Sequence, residues 1–494
     1  MVFSMAQDRA GGGADEGVAV GLLAGFRREL YWSLTRRADA LFEVADAVLC
    51  APGRVTDLAR LSLVPEFRRG HGALYDALNA GRAGFARLRR AVAGLVLPAW
   101  PDGRIRLAVD VSCWLRPDAE ASPERAYCHV HGRGKNAGQV IPGWAYSFVA
   151  ALGPGASSWT LLLDAVRLGP GDDDCAVTAA QLREVVTRLA AAGHWKDGDP
   201  DIIIAMDAGY NVTRLAWLLA DLPVVLAARV RSDRVFYRPA PPKAPGVSGR
   251  RPRHGAPVKC GDPATWDGAA VEQQGEQARQ GPVQAVAWNR VHQMVHRHTA
   301  GFEDWPEHRE LPVIEGTLIR LSVIRQAPGC PPLEPMWLWA STPGAGDAEV
   351  RVLWQAYLRR FDLEHTFRFL KQQLGWTRPL LRDPAAADRW TWLIIACHAQ
   401  LCLARGLASL ARMPWHPRTP AGGILTPGQV RAGFRRARDM AGTPASPAKP
   451  GKPGPGRPKG SKNKQKAPRH PVGKQAPKQR KQAKNPRKKT KQTG

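Results

Sequence analysis

The sequence predicts a mixed α/β protein: one central sheet flanked by helices, with an all-α segment before it and a β-rich insertion inside it. Three observations carry that expectation. Between 104 and 231, apolar runs follow the order strand, hairpin, helix, strand, helix, strand. Residues 17–97 show helical periodicity without strand signals. Residues 232–350 interrupt the alternation with a Pro-rich basic stretch and further strand-like runs.

Residues 1–14 are Gly-rich and expected to fray. The segments GVAVGLLAGFRRELYWSL, RADALFEVADAVLC, VTDLARLSL, GALYDALNA and AGFARLRRAVAGLVL then predict four or five helices. The short segments near 55–95 suit a helix-turn-helix-like unit that reads a DNA end, with Arg82, Arg87, Arg89 and Arg90 on its last helix. They suit a plain helical cap as well. RIRLAVDVSCW (104–114) is a strand with Asp110 inside it. The loop HVHGRGKNAGQVIPG follows, where His129, His131, Arg133 and Lys135 either line a nucleic-acid channel or sit in solvent. WAYSFVAAL (144–152) and SWTLLLDAVRL (158–168) make a hairpin turning at GPGAS. DCAVTAAQLREVVTRLAAAG (174–193) is an amphipathic helix, preceded by acidic residues that complement its dipole. DIIIAMDAGYN (201–211) is a buried strand ending at Asp207, VTRLAWLLADL a helix and PVVLAARVR a strand.

The insertion opens with a basic Pro-rich loop bearing Arg250, Arg251, Arg253 and Lys259. VQAVAWNRVHQMVH, GTLIRLSVIRQ and PMWLWAST read as its strands. YLRRFDLEHTFRFLK (357–371) reads as one helix, and RWTWLIIACHAQLCLARGLASLARM (389–413) as another. The expected organisation is a helical domain at 1–100, the two parts of an α/β domain at 101–231 and 351–415, the insertion at 232–350, and a basic, largely disordered tail at 416–494.

Composition narrows the partners. The 494-residue chain has 71 Lys and Arg against 43 Asp and Glu, a net charge of +28. Residues 441–494 hold 17 of those cations and no acid, yet the remainder is still basic. That balance excludes an ordinary metabolic enzyme and implies a polyanion, most simply nucleic acid. The eight Cys (50, 113, 128, 175, 260, 330, 397, 402) form no CxxC pair, as expected of reduced thiols in a cytoplasmic protein. No signal peptide, amphipathic anchor or apolar run long enough for a membrane span is visible.

The chemistry concentrates in few residues. On a helix, Tyr357, Arg360, Glu364 and Lys371 share an arc of roughly 60°. Such a face is either a plain salt-bridge stripe or a carboxylate ringed by phosphate-binding groups. Asp110 and Asp207 are carboxylates in or ending apolar strands, costly unless hydrogen-bonded, paired or metal-bound. Three converging carboxylates repel one another unless divalent cations lie between them. Two Mg²⁺ would polarise a phosphodiester for in-line displacement.

Here the residues reach a resemblance. The order strand–Asp, hairpin, helix, strand–Asp, helix, strand, insertion, helix–Glu resembles the RNase H-like catalytic domain of DDE transposases. Tyr-x2-Arg-x3-Glu-x6-Lys at 357, 360, 364 and 371 is similar to the YREK signature of bacterial insertion-sequence transposases with a β-strand insertion domain. AVDVS (108–112) and DAGYN (207–211) look like the two Asp motifs of that group. The resemblance covers roughly 100–415. It implies an RNase H-like mixed sheet, and Asp110, Asp207 and Glu364 as the catalytic, metal-binding triad for Mg²⁺, with Mn²⁺ as the expected substitute. Tyr357, Arg360 and Lys371 would contact end phosphates, joined by Arg133, Lys135, Arg250, Arg251 and Arg253. The implied activity is cut-and-paste transposition: cleavage at terminal inverted repeats of double-stranded DNA, through a hairpin, then strand transfer into target DNA. A homodimer in the synaptic complex and a bacterial, nucleoid-associated location follow. In such enzymes the insertion can stack a flipped base on a Trp; the candidates are Trp337 and Trp339, then Trp288 and Trp305, and core packing in strands is the favoured reading of each. Asp164 is the acid most easily confused with the triad and ranks below Asp110. The alternatives are a catalytically silent DNA-binding protein and an RNase H-like endonuclease without strand transfer.

The tail adds PGRPKGSKNK (455–464), which resembles an AT-hook core around Arg457 and Lys459, although Pro455 stands where Arg is expected. A non-specific basic tail accounts for the same composition.

Overall fold

The computed structural model describes residues 12–131, 138–155, 159–242, 246, 248–249, 252–277, 281–296, 302, 306, 308–324, 334–408, 425–449, 460–461 and 465–473. Its N-terminal part is helical: α1 (Gly12–Ser33), α2 (Ala38–Cys50), α3 (Leu58–Leu61), α4 (His71–Ala80) and α5 (Phe85–Ala93). A short antiparallel ladder joins β1 (Leu34–Arg36) to β2 (Arg82–Ala83). Helix α2 is buried from Ala40 to Cys50, acids included. Its Glu43 is held by Arg68 and Arg69, and its Asp46 by Arg27 and Arg438. Each buried carboxylate thus has its cation, without which its desolvation would go uncompensated.

The central sheet begins with β3 (Arg106–Leu115), β4 (Ala126–His131), β5 (Gly138–Leu152) and β6 (Thr160–Leu168). Helix α6 (Asp174–Ala191), β7 (Ile202–Met206), α7 (Val212–Leu218) and β8 (Val224–Val230) complete the α/β part. The side chain of Asp173 caps α6, and that of Asn211 caps α7. The strands lie in the order β6-β5-β3-β7-β8, with β3 parallel to β7 and β7 parallel to β8. This is the expected RNase H-like mixed sheet. Strand β7 is IIIAM, buried at every residue, as a central parallel strand requires.

After β8, a separate hairpin forms from β9 (Val235–Pro239) and β10 (His254–Lys259). Strands β11 (Val271–Gln277), β12 (Gly281–Val291), β13 (Gly316–Val323) and β14 (Met336–Ala340) then extend the central sheet, because β14 pairs with β8. The apolar edge of β8 is thereby covered, which suppresses edge-to-edge association. Trp288, Trp337 and Trp339 are almost wholly buried, and the indoles of Trp288 and Trp339 donate to the carbonyls of Trp266 and Val291. None of the three is exposed for stacking a flipped base; they are core residues, and Trp305 lies outside the described residues.

Two expectations are corrected downstream. The stretch 357–371 is two helices, α8 (Asp347–Arg359) and α9 (Phe361–Gln372), meeting at Arg360. The chain tightens there: Arg360 N bonds Tyr357 O at 3.0 Å and Leu363 N bonds Arg360 O at 2.9 Å, both i to i−3. The buried ion pair Arg359–Asp362 straddles the junction. Next come α10 (Pro384–Leu403), buried along nearly all its length, and α11 (Arg405–Ala408). The second correction concerns 416–494, expected to be a largely disordered tail: it contains α12 (Pro427–Ala432) and α13 (Phe434–Ala441). Thr426 and Gln429 form a capping box with Pro427 at the first turn, which starts α12 ahead of the Pro- and Lys-rich stretch beyond 440. Val430, Phe434 and Ala437 are buried, and Arg431 donates to the carbonyls of Val48, Ala51 and Gly53 at the end of α2. Further on, His470 N bonds Glu120 O and Gly473 N bonds Arg125 O, seating 470–473 along the segment between β3 and β4.

Candidate active site

Strand register brings the first two carboxylates together. In the parallel pairing of β3 with β7, Val109 stands opposite Met206, so Asp110 and Asp207 follow at the same level. Strand β7 ends there while β3 continues, opening a crevice at the carboxyl end of the sheet. Glu364, one turn into α9, reaches the same place from the other side of the insertion.

One guanidinium joins all three. Arg360 approaches Asp110 Oδ2 at 2.6 Å, Glu364 Oε1 at 3.4 Å and Asp207 Oδ1 at 3.9 Å. The side chains of Arg360 and Asp110 are 9% and 18% exposed, whereas those of Asp207 and Glu364 are 44% and 45% exposed. The cluster therefore has a closed floor and an open mouth, the shape needed by a site that meets a large substrate.

The electrostatics follow from that shape. Burial pushes the Asp110 carboxyl up to about 6, against the pull of Arg360 and of the Val111 N–H on its Oδ1, and the charges of Asp207 and Glu364 add to the push. Burial opposes the charge of Arg360, but Asp110, Tyr357, Asp207 and Glu364 outweigh it and raise its pKa. Tyr357 lies under that guanidinium, 5.7 Å from ring centre to Cζ, and burial raises its phenol. Lys371, in the last turn of α9, lies 5.7 Å from the Trp376 ring centre; burial lowers its pKa, partly offset by Cys113, Cys128 and Asp110.

The structure thus brings together Asp110, Asp207, Glu364, Tyr357, Arg360 and Lys371. Of the other nucleic-acid contacts expected, Arg133, Lys135, Arg250, Arg251, Arg457 and Lys459 lie outside the described residues. Arg253 stands elsewhere, beside the His254–His292 pair, whose ring nitrogens are 2.8 Å apart. Of the arginines of α5, Arg89 reaches inward to the buried Asp164, while Arg87 pairs with Glu29 at the surface. Asp164 is buried between Arg89 and Arg188, a structural ion pair tying α5 and α6 to β6.

Sequence reasoning missed Tyr210. Its hydroxyl is buried, burial raises its pKa well above the ordinary value, and the charge of Asp110 adds to that rise. A Tyr three residues beyond the strand-ending Asp was the available signal. It also missed the thiols of Cys113 and Cys128 beside Lys371, which a Cys count without strand register cannot bring together.

A ring of carboxylate oxygens is the donor set that hard divalent cations take. Among the described residues no group of three His, Cys, Asp or Glu stands close enough to hold an ion as the side chains lie. The donor chemistry fits a hard divalent cation; as the side chains lie, the three carboxylates surround the Arg360 guanidinium.

A family model described as DDE superfamily endonuclease matches residues 29–294, more than half of the chain. The match includes Asp110 and Asp207 and ends before Glu364. No curated protein sequence matches the chain.

Proposed function

Because the chain belongs to the DDE superfamily endonucleases, we propose that it is a transposase: it cleaves double-stranded DNA at transposon ends and joins them to target DNA. The observation that carries this reading is the convergence of Asp110, Asp207 and Glu364, from two strands and a distant helix, on the guanidinium of Arg360. Asp110, Asp207 and Glu364 are the catalytic residues, and they would hold the divalent cations. Those ions, when bound, supply Lewis-acid activation of the attacking oxygen and of the scissile phosphate.

The chain's own groups do the rest. The floor of the crevice holds Asp110 fixed, with the Val111 N–H on one oxygen and Arg360 on the other. Arg360 and Lys371 offer positive charge to DNA phosphates, and Tyr357 braces the guanidinium from below. The open side at Asp207 and Glu364 is where the phosphodiester enters. Two ends must meet for cut-and-paste transfer, so the working form is a dimer on DNA.

The test uses duplexes from the inverted repeats flanking the coding sequence. D110N, D207N and E364Q are each expected to abolish Mg²⁺-dependent end cleavage and joining while retaining duplex binding. Full cleavage by any one of them removes that residue from the triad. Cleavage by the parent protein without joining makes it a nuclease instead.

A further inference from the structure

We infer that Arg360 is an internal counter-ion keeping the place between the three carboxylates, so that capture of a DNA phosphate by this guanidinium and loading of divalent cations by the carboxylates are coupled. The inference rests on the reading of Asp110, Asp207 and Glu364 as metal ligands and adds an order of assembly to it. Nη1 of Arg360 holds Asp110 at 2.6 Å, and Nη2 lies 3.4 Å from Glu364 and 3.9 Å from Asp207. The guanidinium therefore neutralises the charge that a divalent cation would otherwise neutralise. Oxygen ligands bind Mg²⁺ at about 2.0–2.1 Å, and a fixed cation among those oxygens repels it.

The same side chain has an unused group. Nε of Arg360 is buried and makes no hydrogen bond. An incoming phosphate can take Nε together with one terminal nitrogen in the bidentate geometry that guanidinium favours. That exchange draws Arg360 off the carboxylates and satisfies the idle donor. Its backbone sits at the junction of α8 and α9, where the chain is already tightened into i to i−3 bonds, so a small rotation of the side chain needs no helix to unwind. The three carboxylates, relieved of their counter-ion, then gain affinity for cations. Linkage is reciprocal: cations strengthen end binding by the factor by which the end strengthens cation binding. Arg360 acts here as a positioning residue, and the protein stays uncommitted to chemistry until DNA is seated.

The experiment measures Mn²⁺ binding by electron paramagnetic resonance on the full chain, with and without a blunt duplex from the flanking inverted repeat. The duplex without protein gives the background bound by DNA alone. The duplex is expected to tighten Mn²⁺ binding at least tenfold in the parent protein. R360Q is expected to bind Mn²⁺ at least tenfold tighter than the parent without DNA and to gain nothing from the duplex; R360K should fall between. Should R360Q fail to fold, the parent comparison alone decides. Equal Mn²⁺ affinity with and without duplex overturns the inference, as does R360Q binding Mn²⁺ no tighter than the parent. If D110N and D207N also leave Mn²⁺ affinity unchanged, the metal-ligand reading itself falls; if they lower it while R360Q has no effect, only the coupling falls.

Discussion

At the scale of single residues, two positions separate chemistry from architecture. Asp110 and Asp164 are both strand carboxylates with arginine partners, yet they serve different ends. Asp164 is sealed between Arg89 and Arg188, whereas Asp110 shares its one guanidinium with two other acids at an open crevice. D110N should therefore lower end cleavage by at least about a thousandfold, equivalent to roughly 4 kcal/mol of barrier, and leave the melting temperature nearly unchanged. D164N should do the reverse, unfolding at lower temperature because Arg89 and Arg188 lose their buried partner. A paired assay of cleavage and thermal melting checks both. Gly375 offers a backbone example. It has φ +70, and a Cβ there would meet Val55 O at 2.7 Å. G375A is expected to destabilise by about 2 kcal/mol in denaturant unfolding and to disturb the seat of α9, since Val55 N also bonds Gln373 O. Asp110, Asp207 and the Tyr-Arg-Glu-Lys spacing were legible because polar groups in apolar runs announce themselves. Tyr210 was not, because an aromatic residue at a strand end reads as ordinary core until register puts it beside Asp110.

At the scale of elements, the α8–α9 junction shows what periodicity does and does not reveal. The apolar pattern of 357–371 is helical throughout, and no Gly or Pro marks a boundary inside it, so the pattern alone predicts one helix. The break arises from tertiary contacts: Arg360 is drawn to the carboxylates and Asp362 is buried against Arg359. Arg360 and Glu364 still meet Asp110 and Asp207 across the break, with Tyr357 buried beneath the guanidinium and Lys371 against Trp376. D362A should destabilise by about 3 kcal/mol and lower cleavage as well, since the turn that aims Glu364 loosens; chemical denaturation with a cleavage assay is the check. The insertion strands were read as strands, but their incorporation into the central sheet was hidden. Pairing of β14 with β8 is a long-range register that no local pattern encodes.

At the scale of the whole molecule, segments far apart in the chain meet. Helices α12 and α13 bring Arg431, Arg435 and Arg438 back onto α2 and its surroundings, where they reach three carbonyls, Glu66 and Asp46. Truncation after 449 removes only the backbone bonds that seat His470 and Gly473 on Glu120 and Arg125 and should lower the melting temperature by no more than about 2 °C. Truncation after 424 exposes Val430 and Phe434's partners and strands buried acids, so the melting temperature should fall by at least about 5 °C. A second global expectation concerns acid. His398, fully buried in α10, has its pKa pushed down by burial from 6.5 to about 4. The unfolded chain then binds the proton more readily, so the contribution is complete above 6.5 and is lost as pH falls from 6.5 towards 4. H398Q should flatten the decline in melting temperature across that window.

The order of the catalytic groups along the chain has a consequence in time. Asp110 and Asp207 precede the insertion, while Arg360 and Glu364 follow it. A ribosome adding about 5–20 residues per second makes the first two, then spends on the order of ten to thirty seconds on the stretch before Glu364. During that interval the nascent protein already carries two of its acids but neither the third nor the cation that restrains them. Because Arg360 is made just four residues ahead of Glu364, the restraint and the last acid of the proposed triad emerge together, and a product ended before Glu364 lacks a complete set.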